Sequence, residues 1–307
     1  MSELDLALSR LHQSGFEYAD DVPNYGPMAA EALEALRHAA LTSGLVDVYV
    51  PRLPPLVEAP PLAASELAAA RGNFTKAGAW LAYYEQVLGE KPWADVLCEA
   101  LEAALDHGTS APGMHGLVRI GHAVRGLEQD DTPVRRRELA FGLAYASARV
   151  GRAATQAGDD ESVNDAAPVG EALSAVCLEG ARLYLANPSR RLEAALGVIA
   201  PSALRLLVGH LPRETSKSLL RAVLANLVVL GVSDDIELDA APDPEIERCA
   251  ESLNETRYRA ACSIHEHAIL MAEACLREDA TAPDRLLRLA AADAALKLAP
   301  AGYQEWR

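Results

Sequence analysis

Residues 111–127, APGMHGLVRIGHAVRGL, place two histidines and two arginines in a segment whose apolar residues recur at helical spacing. The apolar residues are Met114, Leu117, Val118, Ala123, Val124 and Leu127. A helix that buries this much apolar surface must also provide partners for its polar side chains, because an unpaired polar group is costly inside a fold. These polar side chains therefore either line a cavity or bond to other residues of the fold.

Three of them, His115, Arg119 and His122, share one face of the predicted helix. The two histidines are separated by about 10.5 Å of helical rise, which is too far for both to bind one metal ion. The row is suited to bind an anionic or phenolate-like ligand. It is equally suited to form a buried hydrogen-bonded row, and the sequence leaves both interpretations open.

Ala and Leu dominate the chain and favour helices, and we find neither convincing strand alternation nor a fixed repeat. The predicted fold class is therefore all-α, with residues 1–307 forming a single large multi-helix bundle domain. Predicted helices cover residues 3–13, 27–40, 74–88, 92–106, 111–127, 133–152, 168–186, 191–199, 201–210, 215–230, 246–276 and 283–298. Residues 46–61 contain five prolines and are predicted to be an extended linker.

The chain carries 28 Lys and Arg against 44 Asp and Glu, a formal net charge of −16. This charge argues against nucleic acid and anionic membrane surfaces as partners, because both require a basic face on the protein. The five cysteines are scattered without paired spacing, which is typical of reduced cytosolic proteins. We find no signal peptide and no apolar run of about 18 residues, so we expect a cytoplasmic protein without a membrane span.

Known catalytic motifs are absent: the sequence contains no phosphate-binding loop, dinucleotide fingerprint, nucleophile elbow or HExxH zinc motif. His265-Glu266-His267 is a compact cluster, but residues two apart on a helix point in different directions. A solvated helix face is therefore the favoured interpretation of this cluster. Cys262 precedes His265 at helical spacing, and a structural thiol is favoured there over a reactive or metal-bound one.

Four regions, in order along the chain, carry a family resemblance. They are Asn24-Tyr25-Gly26-Pro27-Met28-Ala29-Ala30-Glu31-Ala32-Leu33, His115-Gly116-Leu117-Val118-Arg119 with Gly121-His122-Ala123-Val124-Arg125, Ala200-Pro201-Ser202-Ala203-Leu204, and Glu266-His267-Ala268-Ile269. Together they resemble the questin oxidase-like family and span most of the chain. The resemblance implies an all-helical fold and a role in aromatic polyketide tailoring, where such enzymes oxidise and open anthraquinone-type rings.

The resemblance also implies a non-haem iron site built from several histidines and, in at least one member, a carboxylated lysine. In this chain Tyr25 replaces the histidine of the family's Asn-His-Gly-Pro, and Leu196 stands where a further histidine is implied. Leu270 replaces the lysine of His-Ala-Ile-Lys. His115 and His267 remain, and two imidazoles are fewer than the about three protein ligands usual for iron.

Leucine at two ligand positions predicts a drier and more apolar cavity, so we expect the fold and pocket to persist with no cofactor. The expected partner is a small aromatic or polyketide-type molecule. His115 or His267 is predicted to act as general base, Arg119 to stabilise developing negative charge, and Tyr25 to contribute a polar or acid–base contact. The predicted binding residues are Asn24, His122, Leu196, Leu270 and Trp80.

The predicted function is therefore tailoring of an apolar or aromatic metabolite by a cofactor-independent oxygenase or cyclase. Two alternatives remain open. One is a non-catalytic protein that binds a metabolite or partners an active subunit. The other is an iron-dependent oxygenase with an altered ligand set drawn from His115, His267, His265 and Tyr25.

Overall fold

Fifteen α-helices form a bundle in the computed structural model, which describes residues 1–18, 22–106, 111–150, 168–229 and 243–298. The helices are α1 (Glu3–Leu11), α2 (Gly26–Ala35), α3 (Thr42–Tyr49), α4 (Leu67–Ala70), α5 (Ala77–Glu90), α6 (Trp93–Leu105), α7 (Ala111–Gln129), α8 (Pro133–Arg149), α9 (Val169–Ala186), α10 (Arg191–Arg205), α11 (Arg213–Val229), α12 (Pro244–Ala250), α13 (Leu253–Cys262), α14 (Glu266–Thr281) and α15 (Arg285–Asp293). A short π-helical segment, Ala294–Leu298, follows α15. The predicted all-α multi-helix bundle is confirmed.

One short antiparallel ladder accompanies the helices, and the sequence shows no alternation at its position. β1 (Glu17–Tyr18) pairs with β2 (Val22–Pro23), with Glu17 opposite Pro23 and Tyr18 opposite Val22. Two-residue strands are too short for alternation to reveal them in the sequence. The backbone N–H of Asn24 continues the pairing by donating to the carbonyl of Phe16 (2.8 Å), and the chain then enters α2.

Three predicted segments differ from the observed helices. The proline-rich linker at 46–61 is helical in its first part, because α3 runs to Tyr49 and a 3₁₀ turn covers Val50–Arg52. The two helices predicted on either side of Pro201 are one helix, α10. The single long helix predicted at 246–276 is three helices, since Ser252 caps a new start at α13 and Ile264 has a left-handed backbone (φ 52°) before α14.

The helix α7 lies among several partners, packing on α8, α10 and α2. The α14 helix packs in turn on α2, α10 and α15. The buried side chains of the main core come from many segments of the chain between Phe16 and Leu298. Two smaller apolar clusters lie beneath α1 and α3 and between α12 and α15. This arrangement brings the start of α2, the first turns of α7 and the start of α14 toward one another.

Glycines on α7 allow its close contact with two neighbouring helices. A Cβ on Gly116 would lie 2.8 Å from the backbone of Ala146 on α8, and a Cβ on Gly121 would lie 2.7 Å from the carbonyl oxygen of Ala203 on α10. Real carbon atoms do not approach this closely, so any side chain at these positions would push the helices apart. The close packing of α7 on α8 and α10 therefore requires glycine at positions 116 and 121.

One stretch among the described residues, Pro188–His210, is long and apolar enough by length and composition to cross a membrane. Within the fold, 56% of its most apolar window is buried. A core helix of a soluble protein passes the same test, and α10 packs on α9, α7 and α14.

We predict that Gly121→Ala lowers the free energy of unfolding by about 1–3 kcal/mol, the usual cost of overpacking a core. Gly126→Ala on the same helix is the matched control, because the nearest atom to its added Cβ lies at 3.9 Å. The control is expected to be neutral or to gain up to about 1 kcal/mol of helix propensity. Urea unfolding followed by circular dichroism measures both, and equal effects of the two substitutions would refute the close contact.

Candidate functional site

Arg119 is engaged inside the core by a carboxylate. Its Nε and Nη2 donate to the two carboxylate oxygens of Glu138 on α8 at 2.6 and 2.9 Å, and its guanidinium lies 4.8 Å from the centre of the Phe141 ring. His12 donates from Nε2 to the same carboxylate at 2.9 Å and stacks on Phe141. Burial alone raises the pKa of Glu138, but Arg119 and His12 lower it below its ordinary value, so the carboxylate is charged.

His122 belongs to a second buried group of charges. Its Nδ1 donates to Glu31 on α2 at 2.7 Å, and Arg125 donates to the other oxygen of Glu31 at 2.6 Å. Arg125 also reaches Glu273 on α14 at 2.5 Å. Burial raises the pKa of Glu31, yet Arg125 and His122 together lower it to about 2. These contacts join α2, α7 and α14 within the core.

A cavity of about 10 Å³ lies between these two groups, bounded by α1, α2, α7 and α8. Its polar lining comes from Glu31, His122, Arg135 and Glu138. A space of this size holds about one water molecule and no organic ligand. For Arg119 and His122 the contacts with Glu138 and Glu31 favour the buried hydrogen-bonded interpretation, while the role of Arg119 beside a ligand stays a prediction.

His115 has different surroundings, because it lies at the end of the row beside Tyr25. The two rings meet edge to face with centroids 5.5 Å apart. On its other side the Tyr25 ring lies 4.4 Å from that of His267, which is 5.7 Å from that of His265. We call these four residues, Tyr25, His115, His265 and His267, the ring cluster. It brings together three predicted catalytic residues and His265.

The chain turn before α2 holds Tyr25 in the ring cluster. Asn24 donates from Nδ2 to the carbonyl of Gly15 at 3.0 Å and accepts the N–H of Gly26 at 3.1 Å. The backbone N–H of Tyr25 donates to the hydroxyl of Tyr49 at 2.8 Å. Asn24, predicted to bind a ligand, thus has both ends of its side chain bonded to the backbone, and its observed role is to shape this turn.

Two side chains of the ring cluster, Tyr25 and His267, have shifted pKa values and lie near the ion pair of Glu266 with Arg52. Burial lowers the pKa of His267 to about 4, an effect that Glu266 opposes and that His265 and Arg52 reinforce. Burial, with smaller contributions from Tyr18 and Glu266, raises the pKa of Tyr25 well above its ordinary value. His267 is therefore an uncharged imidazole near pH 7, and Tyr25 is a protonated phenol that can donate a hydrogen bond.

The solvated face predicted for His265-Glu266-His267 is wrong, because Glu266 is only 2% exposed. Its carboxylate accepts hydrogen bonds at 3.2 Å from the hydroxyl of Tyr18 and from Arg52. Arg52 stacks on the Tyr18 ring as well. Sequence reasoning missed Tyr18 and Arg52, since both lie in segments without a helical pattern of their own.

The remaining predicted binding residues are Leu270 on α14, Leu196 on α10 and Trp80 on α5. Leu270 is buried in the main core, and Leu196 is half-buried on α10. Trp80 is fully buried; its indole N–H donates to the carbonyl of Ala70 at 3.2 Å, and its ring stacks on Tyr84. The hydrogen-bond donor of the Trp80 indole therefore has its partner within the fold.

The iron implied by the family resemblance would require about three protein ligands in or near the ring cluster. Among the residues that the structure describes, no three His, Cys, Asp or Glu side chains converge closely enough to hold a metal ion. Leu196 and Leu270 offer no donor atoms, and Glu266 is bonded to Tyr18 and Arg52. As placed, the donor set does not fit an iron site with about three protein ligands.

No family model, no curated protein and no solved structure matches this chain.

We predict that Glu138→Gln lowers the free energy of unfolding by about 3–5 kcal/mol, because it leaves Arg119 charged and poorly paired in the core. Asp131→Asn is the matched control: Asp131 also pairs with an arginine, Arg136, but both side chains are 39% exposed. The control should change stability by at most about 1 kcal/mol. Urea unfolding at pH 7 measures both, and similar costs would show that the Arg119 pair is not sequestered from water.

Histidines whose pKa values are lowered in the fold predict loss of stability in mild acid. Burial is the main cause that lowers the pKa values of His12, His122 and His267, the last from 6.5 to about 4. The unfolded chain therefore binds more protons than the folded one below pH 6.5, and each histidine lowers stability by up to about 1.4 kcal/mol per pH unit.

Urea unfolding at intervals between pH 7.5 and 5 measures this slope, above the range in which carboxylates titrate. His267→Asn should remove the contribution of one proton, so its slope should be shallower than that of the wild type by up to about 1.4 kcal/mol per pH unit. A free energy of unfolding that stays constant or rises as the pH falls would contradict the inference that these histidines are neutral in the folded protein.

Proposed function

We propose that this protein is an enzyme that tailors an apolar or aromatic, polyketide-type metabolite by acid–base chemistry in the ring cluster, without iron. The observation that carries the proposal is the contact of Tyr25 with both His115 and His267, three residues that come from three different helical regions. The family resemblance supports the substrate class, and the pKa directions support the type of chemistry.

In the proposed site, Tyr25 and His267 bind one oxygen of the substrate. A tyrosine with a raised pKa keeps its proton, and a neutral imidazole also has an N–H to donate. Two neutral donors stabilise an oxygen that becomes negatively charged during reaction more than they stabilise a neutral carbonyl. This is the role that the sequence predicted for Arg119, which is neutralised by Glu138.

His115, on the other side of the Tyr25 ring, is the proposed general base. It removes a proton from a carbon next to the substrate carbonyl, and the electron pair moves onto the oxygen held by Tyr25 and His267. Return of the proton at another carbon gives an isomer, and attack of the enolate carbon on a second carbonyl closes a ring. Both outcomes redistribute protons and electrons within the substrate and need no oxidant.

The test is turnover of a panel of polyhydroxylated aromatic ketones by the wild type, Tyr25→Phe and His267→Asn. Each variant should lose about 10²-fold or more in kcat, the usual contribution of a positioned acid or base. Tyr84→Phe is the matched control, because its hydroxyl bonds to Ser147, a residue outside the ring cluster, and it should retain wild-type rates.

In the same assay, the mass of the product distinguishes an isomerase or cyclase from an oxygenase, and the effect of metal on the rate shows whether iron takes part. A product with the elemental composition of the substrate, or lacking one water, supports isomerisation or cyclisation, whereas added oxygen atoms would indicate an oxygenase. Rates that are unchanged by a chelator and by added ferrous iron are expected. Turnover that requires iron, or equal rates in Tyr25→Phe and wild type, would overturn the proposed mechanism.

A further inference from the structure

The turn between α13 and α14 has an unusual backbone next to the ring cluster. Ile264 adopts a left-handed conformation (φ 52°), which is unfavourable for a residue with a β-branched side chain. Its side chain packs against the main core, which holds the backbone in this state. Strained residues of this kind concentrate at functional sites, so the observation directs attention to the residue that follows.

His265 occupies the N-cap position of α14, where Ser, Thr, Asp or Asn usually accepts a hydrogen bond from the helix. The His265 side chain makes no such bond. Its backbone is fixed instead, because its N–H donates to Ser263 Oγ at 3.2 Å and its carbonyl accepts the N–H of Ile269 at 3.0 Å. These bonds fix the backbone at the start of α14, and the imidazole is not used to cap the helix.

The Nδ1 atom of His265 is buried and has no hydrogen-bond partner among the described residues. Leaving a buried polar nitrogen unpaired usually costs about 1–3 kcal/mol, so native proteins seldom keep one without a use. The neighbouring carboxylate of Glu266 hydrogen-bonds to Tyr18 and Arg52. The His265 ring faces that of His267, which contacts Tyr25.

We propose that Nδ1 of His265 binds a hydroxyl group of the substrate, as a further contact beside Tyr25 and His267. This inference rests on the proposed function and narrows the substrate class to neutral aromatic molecules that carry a hydroxyl group. In the neutral imidazole, Nδ1 accepts a hydrogen bond that the substrate hydroxyl donates.

The experiment measures binding of 2-naphthol, with naphthalene as the probe that lacks the hydroxyl, by fluorescence titration. His265→Ala should weaken 2-naphthol binding by about 2- to 12-fold, the value of one hydrogen bond, and leave naphthalene binding unchanged. His265→Asn places an amide atom close to the position of Nδ1 and should restore affinity. His265→Gln places its amide nearer to Nε2 and should not restore it.

Circular dichroism and thermal unfolding confirm that each variant is folded, and the comparison of the Asn and Gln variants does not depend on the Ala variant. Equal affinity of wild type and all three variants for 2-naphthol would overturn the inference about His265 alone. A wild type that binds neither probe would overturn it together with the proposed substrate class. Equal losses for 2-naphthol and naphthalene would assign His265 a packing role and also refute the contact.

Discussion

Buried pairing of arginine with carboxylate is the interaction on which the bundle depends. Arg119 with Glu138 joins α7 to α8, and Arg125 joins α7 to Glu31 on α2 and Glu273 on α14. Arg135 with Asp5 is a further buried pair, and partly exposed arginines pair with buried carboxylates in Arg149 with Glu17, Arg191 with Asp293 and Arg205 with Glu278. Because a buried charge without its partner is strongly destabilising, the pairs restrict the helices to the arrangement that satisfies them.

The polar residues on one face of α7 therefore differ in their surroundings. Arg119 and His122 form hydrogen bonds with buried carboxylates, whereas His115, nearer the start of the helix, contacts the ring of Tyr25. A site that performs acid–base chemistry needs neutral groups whose hydrogen-bonding capacity is directed at a substrate. In the proposed site these groups are Tyr25 and His267, and the charged network joins the helices on which they lie.

Local sequence patterns predicted most of the helices, and the family resemblance singled out Tyr25, His115 and His267, which the fold brings together. The charged partners were not predictable, because His122 and Glu31 are 91 residues apart in the chain and His12 and Glu138 are 126 apart. The hydrophobic periodicity of a sequence indicates which face of a helix is buried. It does not indicate which residue of another helix lies opposite that face. The break before α14 was also missed, since the left-handed Ile264 is held by tertiary packing.

The most direct test of the proposed site is a crystal structure of the protein soaked with a hydroxylated aromatic ketone. The ring cluster predicts that the ligand lies against Tyr25 and His267, with one oxygen within hydrogen-bond distance of the Tyr25 hydroxyl or the His267 ring. Arg119 should remain bonded to Glu138 in that structure. A ligand whose oxygen is held by Arg119 or His122, with Glu138 displaced, would contradict the proposal and restore the row on α7 as the binding site.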